Sequence, residues 1–181
     1  MKKKFSSPLA SFEYWEENTP NLEFLRQNRS GKMEVLTFRE AGLQARRAAT
    51  YLKNHDFPAQ SKIAILSKNC DFWVLADLAI MMSGHVSVPI YPSLKDDSIK
   101  PIVEHSESVL VFAGKLDNFD GQKEAFSSIR TIGSDKYETP GEISWEQIME
   151  QNEPLTDLTP GDSKDLISII YLSLIHISEP T

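Results

Sequence analysis

The sequence predicts an α/β fold in which a mostly parallel sheet is layered between helices. Short apolar runs that suit buried strands recur along the chain, as in KIAILS and VLVFAG. Segments of helical length stand between these runs, and parallel strands need a crossover of about a dozen residues or more. With 181 residues the chain is long enough for one well-cored domain.

The composition argues against several classes of protein. The net charge of -7 argues against a nucleic-acid-binding protein, whose footprint would be basic and clustered. The single cysteine, Cys70, favours a reducing, cytoplasmic compartment and is expected to be a small buried residue near a helix start. The most apolar window, residues 74–91, contains Asp77, Gly84 and Pro89, so it predicts a helix followed by a strand instead of a membrane span.

The first 35 residues are predicted to be an N-terminal docking segment. The short lysine run at residues 2–4 is followed by proline and glutamates where a secretory signal would be apolar. NRSGK, at residues 28–32, indicates a turn by its composition. The segment is expected to be helical or extended and to dock through five apolar side chains: Phe12, Trp15, Leu22, Phe24 and Leu25.

The clearest local signal is a helix that begins after Thr37. Thr37 followed by Glu40 forms a capping box, in which each side chain binds an N–H group that the first helical turn leaves unpaired. One face of this helix is apolar and mostly alanine, so we expect it to pack closely against a neighbour. The predicted buried face consists of Ala41, Ala45, Ala48, Ala49 and Leu52.

The middle of the chain alternates strands with helices. A strand at residues 63–66 precedes a helix at residues 72–82, which Gly84 is placed to end. The next strand, residues 86–91, contains Pro89, which has no N–H to donate and so favours an edge strand or a strand end.

A third helix is expected to follow, with Ser93 as its cap and Asp96 and Asp97 in its first turn, where carboxylates favour the helix dipole. Pro101 would lie inside it, so the helix should bend there or be shorter. The remaining predictions are strands at residues 109–114 and 130–133, helices at 121–129 and 144–151, a loop at 152–165 and a buried strand at 165–171.

No catalytic, cofactor-binding or metal-binding residue is predicted from these patterns. The four histidines, His55, His85, His105 and His176, do not stand at metal-ligand spacing with each other or with other ligands. HSES lacks the G-x-S-x-G context of a serine nucleophile. The eight glycines form neither G-x-G-x-x-G nor a P-loop.

Four stretches in order resemble the adenylate-forming (AMP-dependent synthetase) superfamily. They are LTFREAGLQARRAATYL, SKIAILSKNCDFWVLADLAIMMSGHVSVPIYPSL, IVEHSESVLVFAGKLDN and DLISIIY, the last of which is similar to the lead strand of the family's phosphate loop. The VPIYPSL version is most similar to AMP-forming long-chain fatty-acid–CoA ligases. Together the four stretches cover nearly all of residues 36–171, which the resemblance identifies as a partial N-terminal α/β domain.

The resemblance implies an acid–thiol ligase. Such an enzyme joins ATP and a fatty acid into an acyl-adenylate, with Mg²⁺ and a lysine stabilising charge, and then transfers the acyl group to coenzyme A. The implied partners are therefore small molecules, and contact with a membrane surface is an option. Two alternatives stay open: an aryl- or short-chain acyl–CoA ligase of the same superfamily, and a free-standing α/β nucleotide-binding or interaction domain.

The last ten residues depart from the family pattern. After Tyr171 the family has T-S-G-T-T-G, whereas this chain has LSLIHISEPT, which matches a translation of the transposon-end adapter used in sequencing libraries. We expect residues 172–181 to be a non-native tail, the alternative being a native strand extension. Without Gly or Lys this stretch cannot cradle phosphates, so the 181-residue chain is expected to be inactive. Because truncation would strip partner layers from a parallel sheet that is normally covered on both faces, the chain is also expected to expose apolar patches and to aggregate.

Overall fold

The structure, a computed structural model, describes residues 4–158 and 164–172. Part of the predicted loop, most of the predicted tail and His176 lie outside the described residues. The helices are α1 (Pro8–Asn18), α2 (Phe38–Lys53), α3 (Asp71–Met82), α4 (Asp96–Ser106) and α5 (Trp145–Gln151). The strands are β1 (Glu23–Arg29), β2 (Lys32–Thr37), β3 (Lys62–Leu66), β4 (Val86–Ile90), β5 (Ser108–Ala113), β6 (Arg130–Gly133) and β7 (Ile143–Ser144).

Five strands form the main sheet, in the order β4-β3-β5-β6-β7. Each neighbouring pair is parallel. Helices lie between most successive strands of this sheet, because a parallel connection must return the chain to the same end. The predicted α/β fold with a mostly parallel sheet is confirmed.

A hydrophobic core lies on each face of the sheet. On the first face α1, α2, α3 and α5 cover inward side chains of β3 and β5 such as Ile65 and Phe112. On the second face α4 and a 3₁₀ turn (Lys123–Phe126) cover the alternate side chains, among them Leu66 and Val111. Because both faces are covered, the central strands are apolar on both sides, which explains their unbroken apolar runs.

The predicted helix after Thr37 is confirmed as α2. The Thr37 side chain accepts a hydrogen bond from the N–H of Glu40, and the Glu40 carboxylate accepts one from the N–H of Thr37 at 2.8 Å. All five members of the predicted alanine-rich face are fully buried. These small side chains let α2 pack directly on α3.

The predicted helix and strand of the apolar window are confirmed as α3 and β4. Ser83 ends α3, and Gly84 follows with a φ of +79°, a left-handed conformation that glycine adopts without strain. Pro89 lies in β4, the edge strand of the sheet, as its missing N–H predicts. Among the described residues no helix is long and apolar enough to cross a membrane.

The N-terminal segment differs in part from the prediction. After α1 the chain forms an antiparallel hairpin of β1 and β2, turning at Ser30 and Gly31, whose positive φ angles suit a two-residue hairpin. Phe12 is buried in the first core, but Trp15 and Leu22 are 42% and 56% exposed. The prediction that all five apolar residues dock is therefore wrong for these two.

Two predicted helices are shorter in the structure. Lys95, and not Ser93, is the N-cap residue of α4, so Pro101 lies in its second turn and the helix continues past it. The segment at 121–129 forms only the 3₁₀ turn at Lys123–Phe126, whose Ala125 and Phe126 are buried in the second core. The strand β6 and the helix α5, with its Ser144 cap, are as predicted.

The prediction of a buried strand at residues 165–171 is wrong. This segment, which we term the edge segment (residues 165–172), makes one parallel bridge, Ser168 with Ser87, and much of it is exposed. The Ser87 N–H donates to Ile167, and the Ser87 carbonyl accepts from Ile169. The next donor on this side of β4 would be residue 89, and proline has no N–H, so the ladder stops after one bridge.

Candidate functional site: the carboxyl ends of the parallel sheet

The sheet has a topological switch point between β3 and β5, because the strand that follows β3 in the chain lies on one side of it and β5 lies on the other. The chain leaves β3 towards α3 on the first face and leaves β5 towards the 3₁₀ turn on the second. Connections that diverge in this way open a crevice outside the carboxyl ends of the two strands, where ligands bind in open α/β sheets. The fold therefore places a candidate site there without any sequence motif for it.

A cavity of about 340 Å³ lies beside this crevice, between α3, β4 and the edge segment. This volume is within the range of ligand sites in proteins. Trp73, Asp77 and Met81 follow one another at helical spacing on α3 and form one wall, while Ile90 and Tyr91 line the strand side. Ile170 of the edge segment lies opposite the helix, so this segment closes one side of the cavity.

Asp77 is the one acidic residue that lines this cavity among the described residues. The Ser87 hydroxyl donates a hydrogen bond to Asp77 Oδ1. Burial raises the pKa of Asp77, and the hydrogen bond from Ser87 opposes that rise only in part. A carboxylate in largely apolar surroundings therefore lies next to the residue that anchors the edge segment.

The edge segment is also held at its far end. The Tyr171 hydroxyl hydrogen-bonds to Nδ1 of His105, 2.7 Å away in the last turn of α4. The two rings meet edge to face. The segment is thus attached at two points, by its backbone to Ser87 and by its last aromatic side chain to His105.

A polar cluster fixes the amino-terminal end of α3, from which the cavity wall is built. Arg29 of the hairpin donates to both carboxylate oxygens of Asp71, and the Tyr137 hydroxyl donates to Asp71 Oδ1 at 2.6 Å. Burial alone would raise the pKa of Asp71, but the hydrogen bonds from Tyr137 and Arg29 lower it overall. Burial and the neighbouring carboxylate raise the pKa of Tyr137.

The histidines and the cysteine singled out in the sequence do not converge. His55 lies beyond α2, near Arg130, and His85 is buried before β4. Cys70 is a free, buried residue at the N-cap of α3, as expected. Across residues 4–158 and 164–172 no three His, Cys, Asp or Glu side chains group in a way that could hold a metal ion.

Sequence reasoning missed Asp77 and Ser87 as site residues. The available signal was a single carboxylate inside the otherwise apolar helix DFWVLADLAIMM. Such a residue is buried at a cost unless it has a partner. The partner could not be read from sequence, because it lies on a separate strand ten residues later.

A covered parallel sheet with a crevice at its switch point defines an α/β protein of the kind that binds nucleotides or small substrates. Comparison with protein families gives the specific assignment. Residues 12–173 match the AMP-binding enzyme family, and the chain belongs to that family. The resemblance stated from the sequence is confirmed.

Relatives and solved structures agree with this assignment. Long chain acyl-CoA synthetase 6, peroxisomal, of Arabidopsis thaliana is 32% identical over 82 residues, which cover 45% of this chain and 12% of that protein. Bacitracin synthase 3 of Bacillus licheniformis is 26% identical over 163 residues, 90% of this chain and 2% of that protein. The structure of coronafacic acid ligase from Pectobacterium brasiliense superposes with a TM-score of 0.76 at 20% identity, covering 90% of this chain and 33% of that one. The chain therefore spans a third or less of each of these proteins.

Proposed function

We propose that this chain is the N-terminal part of an AMP-forming ligase that activates a long-chain fatty acid with ATP and transfers the acyl group to coenzyme A. The observation that carries the proposal is the position of the edge segment. DLISIIY, which resembles the lead strand of the family's phosphate loop, lies along the outer edge of β4 and lines the cavity beside the crevice. A strand placed there would deliver a phosphate-binding loop directly to the carboxyl ends of the sheet.

The fatty-acid specificity is supported by two observations. The VPIYPSL stretch at the end of β4 resembles the long-chain fatty-acid–CoA ligases. The relative from Arabidopsis thaliana is named a long chain acyl-CoA synthetase. The match to bacitracin synthase 3, whose name does not denote a fatty-acid ligase, favours a second candidate, the activation of another carboxylic acid. The third candidate is a free-standing nucleotide-binding or interaction domain.

In the proposed enzyme, ATP, Mg²⁺ and coenzyme A supply the phosphoryl, charge-stabilising and thiol chemistry. No acidic cluster among the described residues fits Mg²⁺, so we assign no step to a metal in this part of the chain. The contribution of the described residues is positional. β3 and β5 flank the crevice, α3 and β4 form walls of the cavity beside it, and Ser87 and His105 hold the edge segment. We therefore name no catalytic residue.

We further propose that residues 36–171 are a partial N-terminal domain, that residues 1–35 dock on it, and that residues 172–181 are adapter-encoded. The stretch after Tyr171 has neither Gly nor Lys, which the family's phosphate loop uses to approach and neutralise phosphates. The 181-residue chain is accordingly proposed to be inactive as a ligase. A cytoplasmic location is proposed from the single cysteine, which suits a reducing compartment. Contact with a membrane surface is an option that only the family resemblance suggests.

The test compares two proteins in an ATP–pyrophosphate exchange assay with palmitate, benzoate and acetate. One protein is the 181-residue chain, and the other continues from Tyr171 with the codons found in genomic DNA. We expect palmitate-dependent exchange from the extended protein only. Exchange by the 181-residue chain would refute its proposed inactivity, a preference for benzoate or acetate would favour the second candidate, and a genomic stop codon after residue 171 would favour the third.

A further inference from the structure

The cavity between α3, β4 and the edge segment combines apolar walls with one ionisable group. Trp73 and Met81 of α3, Ile90 of β4 and Ile170 of the edge segment supply the apolar surface. An apolar ligand gains free energy there by leaving water, in proportion to the apolar area that it buries. The walls therefore select a ligand with an apolar body.

The charge of Asp77 selects the polar end of such a ligand. Among the described residues the Ser87 hydroxyl is the one group that donates to the Asp77 carboxylate, and it binds Oδ1. Within that same part of the chain no Lys, Arg or His side chain forms an ion pair with Asp77. The carboxylate is thus paired there by a neutral hydroxyl alone, and a partly buried charge without a counter-ion is costly.

We propose that this cavity binds a small amphiphilic amine, an apolar chain that carries one primary ammonium group, with the ammonium paired to Asp77. The ammonium supplies the missing positive charge and donates hydrogen bonds to the carboxylate. A carboxylate ligand would be repelled by the same group, and an alcohol would lack the charge. The proposal concerns a separate site from the phosphate loop and does not rest on the proposed ligase activity.

The geometry of the cavity limits the ligand to small molecules. Its volume of about 340 Å³ lies near the lower end of the range for ligand sites. The edge segment closes one side and is anchored at Ser87 and His105, so a bound chain would lie between Ile170 and the α3 wall. An amine with a single unbranched chain of moderate length fits these dimensions.

The experiment measures binding of octylamine, octan-1-ol and octanoate to the 181-residue chain by isothermal titration calorimetry at neutral pH. Octylamine should bind at least about tenfold more tightly than octan-1-ol, since a hydrogen bond between two charged groups is stronger than one that involves a neutral hydroxyl. Octanoate should bind more weakly than octan-1-ol. In the Asp77→Asn variant, the affinity for octylamine should fall to the affinity for octan-1-ol. The affinity for octan-1-ol should change little.

Three variants separate a ligand contact from a structural role. Asp77→Leu fits the apolar surroundings and should keep octan-1-ol binding while losing the preference for octylamine. Ser87→Ala leaves the carboxylate in place and should keep that preference. Trp73→Phe should keep calorimetric binding but lose the change in tryptophan fluorescence that octylamine causes in the unaltered chain.

Four results would overturn the proposal that Asp77 binds the ammonium group. Equal affinities for octylamine and octan-1-ol, or an octylamine affinity that Asp77→Asn and Asp77→Leu leave unchanged, would overturn it. Absence of binding by all three ligands would also overturn it, as would loss of the octylamine preference in Ser87→Ala. Circular dichroism of each variant provides the check that the fold is retained.

Discussion

At the scale of single residues, burial shifts the pKa values of two side chains near the α3–β4 junction in opposite directions. It raises the pKa of Asp77, because desolvation disfavours the anion. It lowers the pKa of His85, because desolvation disfavours the cation, and the positive charge of Lys53 lowers it further. In the described part of the chain Nδ1 of His85 is buried without a hydrogen-bond partner, which is consistent with a neutral ring.

The lowered pKa of His85 predicts a pH-dependent stability. The unfolded chain binds the proton at a higher pH than the folded chain, so stability should be lost as the pH falls below about 6.5. The slope from this one residue should not exceed about 1.4 kcal/mol per pH unit. His85→Leu should reduce the slope, measured by urea unfolding at a series of pH values on both sides of neutrality. An unchanged slope in that variant would contradict the assignment.

Residue-level patterns were predictable from sequence where partners are close in the chain. The capping boxes of α2 and α5 follow from residues three positions apart, so Thr37 and Ser144 could be recognised as caps. Ser93 was misjudged, because nothing local distinguishes it from Lys95 as the last non-helical residue. The link from Ser87 to Asp77 joins two elements, so it required the tertiary structure.

At the scale of elements, the α2 cap offers a direct test. Thr37→Ala removes the side-chain acceptor for the N–H of Glu40 and leaves that N–H without its cap. We expect the free energy of unfolding to fall by about 1 kcal/mol. Chemical denaturation at constant pH would measure the change. Thr37→Ser keeps the hydroxyl and serves as the control, and an equal loss in both variants would rule out capping as the cause.

The single bridge between β4 and the edge segment predicts the effect of restoring a donor. In Pro89→Ala the new N–H lies on the side of β4 that faces the edge segment and can donate to Ile169. We expect this amide to be protected from hydrogen exchange, and the amide of Ile169, already bonded to Ser87, to exchange more slowly than in the unaltered chain. Free exchange of the amide introduced at position 89 would show that Pro89 does not limit the ladder.

The segment at residues 121–129 shows how packing overrides local helix propensity. GQKEAFSSI has helix-forming residues in its middle, yet only Lys123–Phe126 forms a turn. Gln122 is buried, and its amide donates to the carbonyls of Pro92 and Leu94, which fixes the start of the turn against the loop after β4. Local sequence therefore predicts helical backbone in this segment, whereas the start of the turn depends on contacts with the neighbouring loop.

At the scale of the whole molecule, stability is concentrated in the two cores. Leu52 is fully buried on α2. Leu52→Ala should lower the free energy of unfolding by about 2–5 kcal/mol, because it removes buried methyl groups and leaves a cavity. Leu43 lies on the same helix and is 44% exposed, so Leu43→Ala is the matched control, with an expected change within about 0.5 kcal/mol. Equal losses in thermal or urea unfolding would contradict the packing described.

The edge segment predicts self-association of the chain. Ile170 is 65% exposed and Leu172 is 72% exposed, and Ile170 lines the same cavity as the exposed Tyr91. A contiguous apolar surface next to an incompletely paired edge favours aggregation. Ile170→Lys should lower the apparent mass seen by light scattering at high protein concentration. Val35 on β2 is also exposed and is distant in sequence from the edge segment, so Val35→Lys is the control. An equal effect of both changes would contradict the role of the edge segment in self-association.

The sequence by itself determined the class of fold, the succession of most helices and strands, the edge position of Pro89 and the resemblance to adenylate-forming enzymes. These features are encoded in periodicity, in caps and turns a few residues long, and in the order of four motifs. The tertiary structure alone decided that β4 and β5 lie on opposite sides of β3, which opens the crevice at the switch point. It also decided that Asp77 meets Ser87 and that residues 165–171 pair over one bridge. The physical reason is that these features depend on contacts between elements that are distant in sequence. Such contacts form, and contribute to stability, only when the layers pack together.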